Sequence, residues 1–390
     1  MSKDLSVKPS ILRLTTIPMS LNLLLKGQFS FMERNGFMVK VGSSAGNEIS
    51  AIIEREGVDH RVFSFSRRIS PIRDLIAILE LVIFIKKHKF EIVHTHTPKA
   101  GLLGMIAAWM CSVPIRLHTV AGLPLMEAKG LKRKILIQTE KLTYHCATKV
   151  YPNSFKMLEY IQEHIYGSQT KFNIIANGSS NGIDTEYFNI HAALIIEADR
   201  IKSDLHIPSN HKVAVFVGRI TGDKGINELI AAFKSFEDLS LILVGPFEPD
   251  LDPLDDRTIL EIKQQSNIHS VGYQSDVRPY LLAADFLVFP SYREGFPNVP
   301  MQAGAMGLPC IVTDINGCNE IIINEMNGLI VPVKDELALQ KAMERLLLDD
   351  ALFTVMKANA RKLIIARYEQ KVIWEALLSE YQSLIKQHVH

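Results

Sequence analysis

The feature that most constrains this chain is a twice-repeated alternation of short apolar runs with helical spacing. Apolar runs at residues 11–17, 37–41, 62–65, 92–94 and 115–119 predict strands. Helical spacing follows them at 21–34, 47–56, 71–87, 100–110 and 129–147. The grammar restarts with runs at 212–217, 239–244, 286–289, 310–313 and 329–331, separated by helical stretches at 226–235, 259–265, 277–283 and 299–306. A helix between successive strands returns the chain to the same end of the sheet, so the strands run parallel with helices on both faces. The expected fold class is α/β, two Rossmann-like doubly wound domains facing across a cleft. Turn formers in the run Asn177-Gly178-Ser179-Ser180-Asn181-Gly182 read as a hinge. The expected domains are 1–188 and 189–370, with a last helix, 371–390, packing back across them.

Composition bounds the class. Of 390 residues, 47% are hydrophobic and 22% charged, as in a soluble globular protein with room for two cores. The polar first ten residues lack the apolar core of a signal peptide, and the most apolar stretch, 75–85, is broken by Glu80 and shorter than the ~20 residues a bilayer requires. A cytoplasmic chain is expected. Cys111, Cys146, Cys310 and Cys318 are far apart and form no CxxC pair, which suits reduced thiols better than a metal site. The net charge of +1 conceals an asymmetry: residues 1–190 hold 24 Lys and Arg against 15 Asp and Glu, leaving 19 against 27 for the rest. The basic half carries Arg67-Arg68, Lys86-Lys87-His88-Lys89 and Lys132-Arg133-Lys134. Two readings stand: peripheral contact with anionic lipid headgroups, or three ordinary solvated clusters.

The chemistry concentrates at strand ends in the second half. Gly218-Arg219 closes one strand, and Lys224-Gly225 follows at a helix start. Two cations a loop apart beside free helix N–H groups suit a diphosphate; taken alone, an Arg and a Lys on a solvated loop is the favoured reading, and the neighbouring Glu294 loop shifts that balance. Residues 289–303 leave a buried strand, cross a Gly-Pro loop and enter a helix, with the Glu294 carboxylate at its mouth. No G-x-G-x-x-G follows either first strand, which argues against a dinucleotide oxidoreductase.

Together, Gly218-Arg219-x4-Lys224-Gly225 and Pro290-Ser291-x2-Glu294-Gly295-Phe296-Pro297 resemble the donor site of retaining GT-B glycosyltransferases of family four. Residues 177–188 resemble that family's NG-(V/I)-D-x-x-x-F segment with a short insertion. The regions around His94, His96 and His118 and residues 291–302 resemble enzymes that build bacterial capsule, O-antigen or lipid-linked glycan precursors. The resemblance implies an acceptor-side first domain and a nucleotide-sugar-binding second one. It implies that Arg219 and Lys224 hold the donor diphosphate, and that Glu294 meets the sugar hydroxyls. Gly295, Phe296, Asn298 and Val299 would form the sugar and phosphate loop, Gln302 would face the ribose, and His118 would stand near the reacting sugar. His118 is otherwise a packed strand-end histidine; His94 and His96 either line the acceptor side or cap a strand.

Two departures follow. Gln302 stands where the family carries a second carboxylate, and Gln accepts a hydrogen bond without charge. Residues 16–21 lack the paired glycines usual in the first loop. The reaction implied is transfer of a hexose or N-acetylhexosamine from a UDP-sugar, with retention, to a lipid-diphosphate-linked or growing surface-polysaccharide acceptor. It would take place in the cytoplasm or at the inner face of its membrane. No cofactor or metal is expected, and no nucleic-acid partner; Asp250-Leu251-Asp252 reads as a solvated acidic loop rather than a cation site. A nucleotide-sugar epimerase of the same frame and a nucleotide-sugar-binding subunit without turnover are the alternatives.

Overall fold

In the computed structural model, which describes residues 8–67, 70–126, 128–167 and 170–388, the alternation builds two six-stranded parallel sheets. The first contains β1 (Ser10–Leu14), β2 (Met38–Ser43), β3 (Asp59–Val62), β4 (Ile92–Thr95), β5 (Ile115–Val120) and β6 (Lys149–Pro152) in the order β3-β2-β1-β4-β5-β6. The second contains β7 (Lys212–Val217), β8 (Leu239–Val244), β9 (Ile268–Gly272), β10 (Phe286–Phe289), β11 (Cys310–Thr313) and β12 (Gly328–Val331) in the order β12-β11-β10-β7-β8-β9. Each is a doubly wound sheet whose strand order reverses once, between β1 and β4 and between β7 and β10. Central strands such as β8 and β10 are buried along their whole length because helices cover both faces, which explains their continuous apolar sequence.

Differences from expectation have local causes. The helix expected over 21–34 is two, Pro18–Leu24 and Gln28–Arg34, parted at Gly27 with φ 82°. A Cβ there would lie 2.6 Å from the Trp374 ring, so glycine is required twice over. β3 precedes its expected position because the apolar signal came from Phe63 and Phe65, core residues just beyond this mostly exposed edge strand. β6 and β9 were not expected; both are edge strands, and β9 is only partly buried.

The chain divides into two compact units, Met1–Asn181 with Lys371–His390, and Gly182–Gln370. The division therefore falls inside the turn-rich segment rather than after residue 188. Ile183 donates to Tyr368 O (2.8 Å) and accepts from Gln370 N (3.0 Å), and Arg361 donates to the carbonyls of Thr185 and Phe188. These bonds bind 182–188 to the second unit.

The final helix, Gln370–His388, joins the core of the first unit, where it buries Leu377, Tyr381 and Leu384. Trp374 Nε1 donates to Asn181 Oδ1 (2.6 Å), and Tyr151 Oη donates to Glu380 (2.8 Å). The fully buried Arg13 guanidinium donates to Tyr381 Oη and to His96 Nε2, both at 3.0 Å, and to Gln28 Oε1. Neutral acceptors thus satisfy a buried cation that would otherwise cost several kcal/mol, of order 3 or more. Arg13 fixes the helix to the sheet.

Candidate active site

Open α/β sheets bind ligands at the carboxyl ends of the strands where the order reverses. In the second unit those strands are β7 and β10, and the two candidate motifs follow them directly. After β7 the chain passes Gly218 and Arg219, makes one 3-10 turn, Gly222–Lys224, and enters the helix Ile226–Phe233 through Gly225. After β10 it passes through 290–297 into the helix Asn298–Ala305.

The two loops are locked together by backbone. Tyr292 N–H donates to Asp223 O (2.9 Å), and Gly225 (φ 71°) lies so close to Pro290 that a Cβ would be 2.1 Å from its carbonyl oxygen. Side chains from 313–316 hold the second loop from below: Thr313 Oγ1 donates to Ser291 O, and Asn316 Nδ2 donates to Gly295 O. Gly317 permits this approach, since a Cβ there would meet Pro297 Cδ at 2.8 Å and Gly295 O at 3.0 Å.

Within this frame Lys224 Nζ lies 2.5 Å from Glu294 Oε1, with the two side chains only 13% and 19% exposed. Ser291, fully buried, donates its hydroxyl to the same Glu294 oxygen (3.0 Å). Arg219 is 40% exposed and spans Asp223 (3.8 Å) and Glu248 (3.5 Å), while Arg293 approaches Asp223 at 3.5 Å. Three cations thus face three carboxylates. A further anion brought to this cluster would compete with Glu294 and Glu248 for Lys224 and Arg219. Pro297 stands at the N-cap of Asn298–Ala305 and offers no side-chain acceptor, so the cap residue itself leaves the first-turn amides, beginning with Asn298 and Val299, uncovered. The half-buried Gln302 lies one turn further along. Phe296 packs on Tyr368, ring centroids 5.4 Å apart, which steadies the loop from the other side. Nearby, burial pushes the Cys318 thiol well above its usual range, and Glu294 adds to this.

Sequence reasoning placed Arg219, Lys224, Glu294, Gly295, Phe296, Asn298, Val299 and Gln302, and the second unit brings these together. It missed the supports Asp223, Thr313 and Asn316. The last two act across 21 or 22 residues of chain, a relation that no local pattern encodes. Among the described residues no cluster of three or more His, Cys, Asp or Glu side chains has metal-holding geometry.

His118 belongs to the first unit, on β5, and is 2% exposed. Its Nδ1 is 2.8 Å from Thr95 Oγ1, and its ring presses on Gly101, where a Cβ would be only 2.4 Å from Cε1. Burial lowers its pKa to about 4, so the ring is neutral near pH 7. His94 and His96 are also buried, and desolvation, aided by Arg13, holds both well below the usual imidazole range. Arg13 donates to His96 Nε2, which places the His96 proton on Nδ1. At the reversal point of this sheet Thr16 and Thr97 pair through Oγ1 atoms 2.7 Å apart.

Known proteins resemble the chain in sequence and in fold. Residues 197–363 match the family model described as glycosyl transferases group 1, and residues 30–178 match a glycosyl transferase 4-like domain. The chain is 31% identical over 382 residues to the capsular polysaccharide biosynthesis glycosyltransferase CapM of Staphylococcus aureus, covering 97% of this chain and 98% of the relative. It is 30% identical over 306 residues to UDP-Gal:alpha-D-GlcNAc-diphosphoundecaprenol alpha-1,3-galactosyltransferase of Escherichia coli, covering 77% of each. The crystal structure of a glycosyltransferase from Rickettsia africae superposes with a TM-score of 0.81 at 21% identity, over 97% of this chain and 99% of that one. With two doubly wound sheets and a 31% identical relative spanning nearly its whole length, the chain belongs to the family-four glycosyltransferases of GT-B fold.

Proposed function

We propose that the protein transfers a hexose or N-acetylhexosamine from a UDP-sugar, with retention of anomeric configuration, to a lipid-diphosphate-linked glycan acceptor in surface-polysaccharide synthesis. The observation that carries this reading is the convergence of Arg219, Lys224, Glu294 and the Asn298–Ala305 amino terminus at the ends of β7 and β10. The names of the relatives support it: one acts in capsule synthesis, and the other takes UDP-Gal and a diphosphoundecaprenol-linked sugar.

As the glycosidic bond breaks, positive charge grows at the anomeric carbon and negative charge on the departing diphosphate. Lys224 and Arg219 stabilise the second of these more in the transition state than in the bound donor, which is what accelerates transfer. Glu294, released from Lys224 by the diphosphate, accepts hydrogen bonds from the sugar hydroxyls. The reading assigns leaving-group stabilisation to side-chain cations and helix amides, with no resident metal. His118, neutral and held by Thr95, is assigned to the neighbourhood of the reacting sugar.

A thermal-shift panel of UDP-, GDP- and ADP-sugars, followed by UDP release with and without a lipid-diphosphate acceptor, tests the reading. UDP-sugars raise the midpoint, and acceptor accelerates UDP release. Failure of every UDP-sugar to bind overturns the donor assignment. Product NMR reads the anomeric configuration directly.

A further inference from the structure

Helix Pro71–His88 of the first unit carries apolar residues on its outward side as well as on the side that meets the core. Ala77, Leu81 and Ile85 are buried, while Ile72 (76% exposed), Leu75, Ile76, Leu79 and Ile83 (68%) form a continuous stripe facing outward. They recur at i, i+3, i+4, i+7 and i+11, the spacing of one helix face. Helix Gly130–Cys146 repeats the device with Leu131 (73%), Ile135 and Leu142. Both pack against the intervening helix Pro98–Met110, which exposes Trp109 and Met110 at its carboxyl end. The stripes therefore belong to one helical layer over one face of the sheet.

Charge selects the occupant. The three helices carry eight Lys and Arg residues and three carboxylates. None of those carboxylates is exposed: Asp74 pairs with Lys99 (2.6 Å), Glu80 accepts from Ser64, and Glu140 is buried. Exposed Lys86 and Lys87 end one stripe, and exposed Lys132, Lys134 and Lys141 border the other. Of the cationic clusters read in the sequence, Arg68 lies outside the described residues.

We propose that this layer docks the protein on an anionic phospholipid surface, lying in the plane of the interface. Apolar side chains flanked by Lys and Arg, without exposed carboxylates, match acyl chains beneath acidic headgroups. Among the described residues no helix is long and apolar enough to cross a membrane, so the contact is peripheral. The inference is independent of the donor chemistry, because it uses residues of the first unit alone.

Flotation of the full chain with phosphatidylglycerol-containing and pure phosphatidylcholine vesicles tests it. Wild type binds the anionic vesicles at least about tenfold more strongly, and the preference fades in high salt. Leu79→Ser with Ile83→Ser lowers partition about tenfold, as does Lys132→Glu with Lys134→Glu, while circular dichroism and UDP-sugar binding stay unchanged. Equal and weak partition on both vesicle types overturns the proposal, as does binding unchanged in both double variants. A wild-type dimer in light scattering that becomes monomeric in Leu79→Ser/Ile83→Ser also overturns it, by assigning the face to a second copy.

Discussion

Lys224 and Glu294 are joined across the reversal point of the second sheet, Nζ to Oε1 2.5 Å, by loops that leave β7 and β10 seventy residues apart in sequence. The pair holds each charge in place, and on the proposed donor reading a diphosphate displaces one partner. Lys224→Ala should therefore lower kcat/KM by about 10²- to 10³-fold and abolish the thermal shift with UDP. Glu294→Gln should lower transfer while keeping, or increasing, the UDP shift, since Lys224 is then free. Loss of the shift in both variants would make the pair a structural unit instead.

Gln302 supplies a neutral acceptor where the family has a carboxylate. If the proposed ribose contact holds, Gln302→Glu should tighten UDP binding about three- to tenfold, because a charged acceptor makes a stronger hydrogen bond. Isothermal titration of wild type and variant measures this, and an unchanged Kd would place the ribose elsewhere.

Gly225 joins the one-turn 3-10 helix to Ile226–Phe233 with φ 71°, against the Pro290 carbonyl. Gly225→Ala should destabilise the fold by about 2 kcal/mol or more, through left-handed strain and a backbone clash. Denaturant midpoints of the two proteins check it.

Buried titratable groups of the first unit predict a pH profile with two opposing arms. The His118 pKa falls from 6.5 unfolded to about 4 in the native state, so its contribution is complete above pH 6.5 and is lost as pH falls through 4. That loss is about 3 kcal/mol, and His94 and His96 act in the same direction. Burial raises Glu140 from 4.5 to about 7, so its contribution is complete below pH 4.5 and is lost as pH rises through 7. Melting scans should show Glu140→Gln stabilised relative to wild type at pH 8 but not at pH 4. His118→Asn should flatten the acid limb between pH 6.5 and 4, and an acid limb unchanged in that variant would refute the assignment.

Much of the architecture was legible because its signals are local. β-Branched runs such as 212–217 and 239–244 announced buried strands, and Gly218 and Gly225 marked loops that need backbone freedom. The misplaced and missed strands, β3, β6 and β9, all lie toward sheet edges, where the apolar contrast is weak. The positions of most candidate donor residues were also legible, since Arg219, Lys224, Glu294 and Asn298 lie at or just beyond strand and helix ends within their own motifs.

By itself, the sequence determined that the chain alternates strand and helix twice, and that cations and a carboxylate stand at strand ends in the second half. Local periodicity and turn chemistry suffice for that. Only the tertiary structure decided that Lys224 and Glu294 meet, that Asn316 and Thr313 brace their loop, and that His118 is packed against Gly101. These contacts join residues far apart in the chain, and they exist because the strand order brings β10 beside β7 and β5 beside β4.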